Sequence, residues 1–118
     1  MGGPAWQFKK FADACSKLFE PQAWKDKLAA GFTNSASVSG DKSSTITHFW
    51  TLAMQMGQIW VGTGLLPASK KSSTPADINW SSGFGGAHAV SPETLRSTKR
   101  RASAIWRPPS YWVDALPN

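Results

Sequence analysis

The sequence predicts an α/β fold in which a helix connects two parallel strands. Two short apolar runs, Leu28–Thr33 and Gln58–Gly62, indicate buried strands. Between them, apolar residues recur at three- and four-residue steps, which is the pattern of a helix with one apolar face. A strand, a helix and a strand in close succession require a right-handed crossover between parallel strands. The chain of 118 residues has the size of one small domain.

The first element expected along the chain is a helix that follows the lead-in Met1–Ala5. Pro4 suits the first turn of this helix, and Glu20-Pro21 ends it. Its apolar face consists of Phe8, Phe11, Ala12, Cys15, Leu18 and Phe19. Because Cys15 lies on that face, we expect a buried structural thiol rather than a nucleophile.

The first strand, Leu28–Thr33, is almost uninterruptedly apolar, which indicates burial on both faces. It leads into a serine-rich loop, Asn34–Ser43. In a strand–helix–strand unit, the loop at the carboxyl end of the strand is where small anionic or planar ligands bind. Small side chains let backbone N–H groups approach a ligand, and hydroxyl groups both donate and accept hydrogen bonds. The alternative is a flexible, solvated connection without a binding role.

The second helix is expected directly after this loop. Its apolar face consists of Ile46, Phe49, Trp50, Ala53 and Met56. Ser43 or Ser44 is expected to cap the first amide groups of the helix. Asp41 lies on the side that the helix dipole favours, and Gly57 suits the left-handed turn that ends many helices.

The composition includes 13 Lys and Arg against 7 Asp and Glu, a net charge of +6. This charge indicates either an acidic partner or a chain kept soluble by its charge. The single cysteine excludes an internal disulfide and fits a reducing compartment. No apolar run approaches the roughly 20 residues that span a bilayer, and no signal peptide is evident, so we expect a cytoplasmic protein without a membrane span.

The last part of the chain departs from this regular pattern. Residues 63–91 are rich in Ser, Gly and Pro, which predicts a long loop. Ser91-Pro92-Glu93 is a helix start, but the basic run Arg96–Arg101 follows it, so residues 96–118 are expected to form an irregular basic tail. The aromatic residues of the tail are Trp106, Tyr111 and Trp112. They suit stacking on single-stranded nucleic acid, but a tail without a role is favoured because no nucleic-acid-binding motif accompanies them.

Three stretches of the chain carry a family resemblance: the lead-in Met1–Ala5, the loop Phe32–Ser37 followed by Gly40, and the segment Thr51–Gly62. They resemble the second half of the flavodoxin-like, FMN-dependent NAD(P)H:quinone oxidoreductases. This group includes the tryptophan-repressor-binding-protein-like enzymes and the NADPH-dependent FMN reductases. The resemblance is good over residues 1–64 and continues loosely to about Glu93.

The resemblance implies a three-layer flavodoxin-like fold in residues 1–95, limited to the last two strands of a parallel sheet with flanking helices. It also implies FMN at the carboxyl edge of the sheet, NAD(P)H as co-substrate and a quinone or flavin as electron acceptor. The cofactor-binding residues that it implies are Met1, Gly2, Gly3, Asn34, Ser35, Ala36, Ser37 and Gly40. Backbone amides there would hydrogen-bond the edge of the isoalloxazine ring. No catalytic side chain and no metal site are implied.

By the same match, Met1 corresponds to an interior position of the family, so the first three strands and the FMN phosphate loop are expected to be missing. A phosphate dianion needs a nest of amides or cations, so we expect weak FMN binding. The strand Leu28–Thr33 then has an open edge, which favours a homo-oligomer or pairing with a complementary N-terminal segment. The family often has a histidine where this chain has Met56.

Two classes of function follow from these observations. The first is an FMN-dependent oxidoreductase, represented by an incomplete chain whose activity is either lost or dependent on a complementary N-terminal piece. The alternative is a small basic binding module that uses the Arg- and Trp-rich tail on nucleic acid or on an acidic partner. A third reading, a nonfunctional gene fragment, stays open.

Overall fold

The computed structural model of the protein describes residues 2–91. Its helices are α1 (Trp6–Ala14), extended by a 3₁₀ turn (Cys15–Leu18), and α2 (Lys42–Gln55). Its strands are β1 (Leu28–Ala29), β2 (Phe32–Ser35), β3 (Ile59–Trp60) and β4 (Ala87–Val90). The predicted helix start at Ser91 and the predicted basic tail, residues 96–118, lie outside or at the limit of the described part. None of the helices described is long and apolar enough to cross a membrane.

The strand–helix–strand crossover is confirmed. β1 pairs in parallel with β3, with Leu28 opposite Ile59 and Ala29 opposite Trp60. Helix α2 connects them and ends where the sequence predicts, because Gly57 adopts the left-handed conformation with φ 70°. The fold class is therefore α/β with parallel strands and flanking helices, as predicted.

The first helix is shorter than its apolar pattern suggests. Regular α-helical geometry ends at Ala14, and the chain continues as a 3₁₀ turn to Leu18. Pro4 precedes the N-cap Ala5 instead of occupying the first turn. Cys15 is a free cysteine with 5% of its surface exposed, so its predicted burial is confirmed.

The strand predicted at Leu28–Thr33 is divided into β1 and β2, and its second half extends to Ser35. The loop predicted over residues 63–91 contains β4, which pairs in parallel with β2 from Phe32 opposite Ala87 to Ser35 opposite Val90. A purely irregular loop is therefore wrong for the last residues of this range. The strand forms because the backbone groups of β2 offer a template beside it.

β3 and β4 lie along the same edge of the segment 27–35. Backbone hydrogen bonds of 2.8 to 3.0 Å run from Ile59, Val61, Ala87 and Ser91 to the carbonyls of Lys27, Ala29, Gly31 and Ser35. All four acceptors are odd-numbered, and alternate carbonyls of a strand point to one side. β3 and β4 thus follow each other along this edge, as two parts of one interrupted strand. The insertion between them, residues 62–86, leaves the edge after β3 and returns to it before β4.

The opposite edge of this segment is open. Its backbone groups belong to the even-numbered residues, Leu28, Ala30, Phe32 and Asn34, and they have no backbone partner among residues 2–91. The predicted burial on both faces is wrong for the chain as described, since Leu28 is 63% and Phe32 81% exposed. Leu28 and Phe32 point to the same face of the strands, and this face is left exposed in the part of the chain described.

The core lies between α2, the strands and the 3₁₀ turn, and it is small. Its fully buried apolar side chains within the described range are Cys15, Ile46, Ala53 and Met56. Phe8 of α1 packs against Phe49 of α2 with ring centroids 4.5 Å apart, which joins the two helices on one side of the strands.

Candidate functional site

The loop between β2 and α2, residues 36–41, is a tight turn in which Gly40, Ser35 and Ser37 lie close together. Gly40 has φ 49°, and a side-chain carbon at this position would come within 1.9 Å of the Ser35 hydroxyl oxygen. The Ser35 hydroxyl donates a 2.9 Å hydrogen bond to the Ser37 carbonyl. Only glycine fits a left-handed position with so little space, so Gly40 is a structural requirement of the loop.

Lys42 closes the loop from within. Its ammonium donates hydrogen bonds to the Ser37 carbonyl at 2.5 Å and to the Val38 carbonyl at 2.8 Å. The residue is only 2% exposed and has no carboxylate partner among residues 2–91. Burial lowers the pKa of Lys42 below its usual value, because removal from water disfavours the charged form.

The backbone of this loop presents hydrogen-bond donors to its surroundings. The amides from Ala36 to Asp41 have no backbone or side-chain acceptor in the part of the chain that is described. All the residues that carry them are exposed. Amide donors without an acceptor, in exposed residues at the carboxyl end of a strand, can bind the acceptor atoms of a planar ring or of an anion.

The start of α2 differs from the prediction. Asp41 is the N-cap, with φ 50° and no side-chain cap hydrogen bond, and the helix begins at Lys42. Neither Ser43 nor Ser44 is the cap, because both lie inside the first turn. The Ser44 hydroxyl instead donates a 2.7 Å hydrogen bond to the Gly2 carbonyl.

That hydrogen bond brings the two predicted site segments together. Gly2 lies against the start of α2, directly after the loop that contains Ala36, Ser37 and Gly40. Asn34 and Ser35 belong to the end of β2 rather than to the loop itself. Gly3 and Asn34 line a common cleft, whereas Met1 lies outside the described residues.

The cleft has a volume of about 980 Å³, and α2 and Trp60 of β3 also line it. One wall is the segment from Lys27 to Asn34, and the other is formed by the lead-in and α1, including Phe8 and Phe11. The cleft is mostly apolar, and its lining includes the strand residues whose backbone groups have no partner within residues 2–91. An extended segment of chain matches both properties of this space.

A second cavity of about 710 Å³ lies between the strands and the insertion, beside His88 and Trp80. Burial lowers the pKa of His88, and the positive charge of Lys42 lowers it further. His88 is opposite Thr33 in the register of β2 and β4. A neutral imidazole is therefore the favoured form beside the carboxyl end of the strands.

The residues of the loop fit the edge of an isoalloxazine ring. Such an edge carries carbonyl and ring-nitrogen acceptors, and the loop supplies amide donors that have no acceptor within residues 2–91, with Val38 as its one bulky apolar side chain. For the phosphate of FMN, the described loop supplies no comparable closed nest of cations and amides. No group of three His, Cys, Asp or Glu side chains in residues 2–91 could hold a metal ion.

Sequence reasoning missed Lys42, whose ammonium donates to the carbonyls of Ser37 and Val38 inside the loop. In the sequence, a lysine beside Gly40-Asp41 is typical of a solvated surface charge. One feature of the sequence could have indicated this role: Lys42 is the first cation after a run of small residues whose carbonyls need hydrogen-bond donors. Its burial, however, depends on the folded conformation of the loop.

No protein-family profile matches the chain. The chain is 50% identical over 92 residues to flavodoxin FldP of Pseudomonas aeruginosa (strain UCBPP-PA14), which covers 78% of this chain and 50% of that protein. A crystal structure of a flavodoxin, a WrbA-like protein from Agrobacterium tumefaciens, is similar with a TM-score of 0.52 and 45% sequence identity. That match covers 69% of this chain and 52% of the other.

The chain thus spans about half the length of the proteins that it matches. Both are flavodoxins by name, and both likenesses exceed what a shared α/β topology alone would give. Together with the parallel strand pairs and the flanking helices, they show that this chain has the flavodoxin-like fold over about half of that fold's length.

Proposed function

We propose that the chain supplies the ring-binding half of an FMN-dependent oxidoreductase that passes electrons from NAD(P)H to a quinone or to another flavin. The observation that carries the proposal is the exposed row of amide donors from Ala36 to Asp41 at the carboxyl end of β2. Similarity to flavodoxins supports the choice of ligand. The cofactor-binding residues of the proposal are Met1, Gly2, Gly3, Asn34, Ser35, Ala36, Ser37 and Gly40.

FMN supplies the electron-transfer chemistry when it is bound, and the protein's contribution is binding and orientation. The loop amides donate to the acceptor atoms on the ring edge, and Gly40 keeps side chains out of the contact. No side chain of the loop has to act as a nucleophile, so small residues suffice.

The proposal includes a partner, since the open strand edge and its cleft need an occupant. A second copy of the chain or a complementary segment that adds a parallel strand beside Leu28–Asn34 would pair the backbone groups of that edge. Side chains of such a strand would also lie beside Phe32, which is 81% exposed, and would cover part of it. The partner therefore orders the site as well as stabilising the fold.

The direct test is a titration of FMN with the full chain, followed by flavin fluorescence. We expect binding of the ring to quench this fluorescence at high protein concentration. We expect the apparent affinity to rise when a complementary flavodoxin N-terminal half is added, because a preorganised site binds more tightly.

A matched control is the same titration with the Gly40→Ala variant, which places a side chain in the closed loop. Quenching by the chain and loss of quenching by the variant would support the proposal. No quenching by the chain, either alone or with the complementary half, would overturn the assignment of FMN. NADH and NADPH oxidation by the reconstituted protein, with a soluble quinone, then tests the oxidoreductase activity.

A further inference from the structure

The loop between β2 and α2 has an internal donor that a simple turn would not need. Lys42 is the most deeply buried large side chain in residues 2–91, although it carries a charge. Its ammonium binds the carbonyls of Ser37 and Val38, and the part of the chain described offers it no carboxylate. Burying a lysine in this way is costly, so its position calls for a role.

The geometry of the peptide group links this lysine to the outer surface of the loop. The carbonyl of one residue and the N–H of the next belong to one planar group and point in opposite directions. Because the carbonyls of Ser37 and Val38 point inward to Lys42, the amides of Val38 and Ser39 point away from it. These amides have no acceptor within residues 2–91.

We propose that Lys42 is a positioning residue, which holds the Ser37 and Val38 carbonyls inward and thereby turns the Val38 and Ser39 amides outward as donors to the flavin ring. The inference rests on the proposed function for its ligand, but the loop geometry is independent of the ligand. The lysine contacts the loop backbone and not the flavin. Its effect should therefore be the same for any flavin that has the ring, with or without a phosphate.

The first experiment examines the loop without flavin. Elastase cleaves after small residues, and the loop contains Ala36 and Val38. For the Lys42→Met variant we expect cleavage within residues 36–41 to be roughly tenfold faster, because hydrogen bonds from a charged donor are among the strong ones in proteins. The Lys42→Arg variant keeps a charged donor, and we expect it to restore most of the resistance. Lys10→Met removes an exposed charge on α1 and serves as the control.

The second experiment compares FMN with riboflavin, which has the same ring and no phosphate. We expect Lys42→Met to weaken binding of both by the same factor, roughly tenfold by the same argument, and Lys42→Arg to recover most of it. Lys10→Met should leave both affinities unchanged. A loss for FMN alone would mean that Lys42 serves the phosphate, and would overturn the positioning role.

The two experiments separate this inference from the proposed function. Unchanged cleavage of Lys42→Met, with a thermal transition like that of the original chain, would overturn the role of Lys42 whatever the chain binds. Should Lys42→Met not fold, the Lys42→Arg variant decides, since cleavage and flavin affinity near those of the original chain are then required. Absence of flavin quenching by the original chain and its reconstituted form would overturn the proposed function, whereas faster cleavage would still support the hold of Lys42 on the loop.

Discussion

Gly40 holds a position where two separate constraints meet. Its φ of 49° is unfavourable for residues with a side chain, and the Ser35 hydroxyl lies 1.9 Å from where a side-chain carbon would be. Replacing Gly40 with alanine should therefore cost about 1–2 kcal/mol for the backbone conformation alone, plus the clash. We expect the Gly40→Ala variant to unfold at a lower temperature, as measured by circular dichroism, and to lose FMN quenching.

Gly64 provides the control for this prediction. It has a similar left-handed conformation with φ 62°, but no atom lies within 4 Å of where its side-chain carbon would be. Gly64→Ala should therefore show the backbone effect without the clash and should leave flavin binding unchanged. Equal effects of the two substitutions would show that loop packing at Gly40 is unimportant.

His88 makes the stability of the chain depend on pH. Burial, and next the charge of Lys42, lower its pKa below the usual value of 6.5. The unfolded chain then binds the proton more readily than the folded one, so stability is greatest above about pH 6.5 and falls as the pH drops through the lowered folded-state pKa. We expect the thermal midpoint to decrease as the pH is lowered from about 7 to about 5.5, and we expect a smaller decrease for the His88→Asn variant. An equal decrease for both would assign the pH dependence to other groups.

At the level of single residues, the sequence predicted what local backbone chemistry decides. Gly57 ends α2, and Gly40 lies in a loop that needs a small residue, because glycine at such positions is a local signal. Lys42 was not predictable in this way, since its burial depends on the direction of two carbonyls across the loop. Asp41 as the N-cap was also missed, because its left-handed conformation overrides the usual preference for serine.

Among the elements, the open edge of β1 and β2 governs association. Its sequence from Leu28 to Asn34 contains no charge and no proline, the two devices that commonly protect exposed strand edges. We expect the Phe32→Lys variant to self-associate less than the original chain, as measured by sedimentation velocity across a range of concentrations. The physical reason is that a charge on the edge must be desolvated when a second strand pairs with it.

Leu66→Lys provides a matched control, since Leu66 is 85% exposed and lies in the insertion, away from the open edge. This variant changes charge and exposed apolar surface as Phe32→Lys does. If it reduces association as much, general hydrophobicity and not the strand edge drives the contact.

The elements themselves were predicted unevenly. α2 and the parallel crossover followed from periodicity and from the order of apolar runs, which are strong signals. β4 was missed because Ala87–Val90 is short, follows a glycine-rich stretch and contains a histidine, so its own residues favour a loop. It becomes a strand only because it pairs with β2. This is a tertiary effect, which the local sequence pattern does not predict.

For the molecule as a whole, the balance between buried and exposed apolar surface is unusual. Only Cys15, Ile46, Ala53 and Met56 form the fully buried apolar core of residues 2–91, while large side chains such as Trp6, Phe32 and Leu66 are at least 69% exposed. We expect urea unfolding with a slope at or below about 1 kcal/mol/M, the low end for small proteins, and binding of the dye ANS. Adding a complementary N-terminal half should raise the slope and reduce ANS fluorescence. A sharp, cooperative transition from a dilute monomer would contradict this.

The insertion between β3 and β4, residues 62–86, has a practical consequence for engineering. Its two ends meet where the Thr63 amide donates a 2.9 Å hydrogen bond to the Phe84 carbonyl, and a side-chain carbon at Gly62 would lie 2.6 Å from the same oxygen. Because the two ends of the insertion already lie in contact, the peptide between them can be shortened or lengthened at little cost in loop-closure entropy. A fluorescent reporter spliced in near Ser72, or new termini made there by circular permutation, should leave both halves of the strand in register.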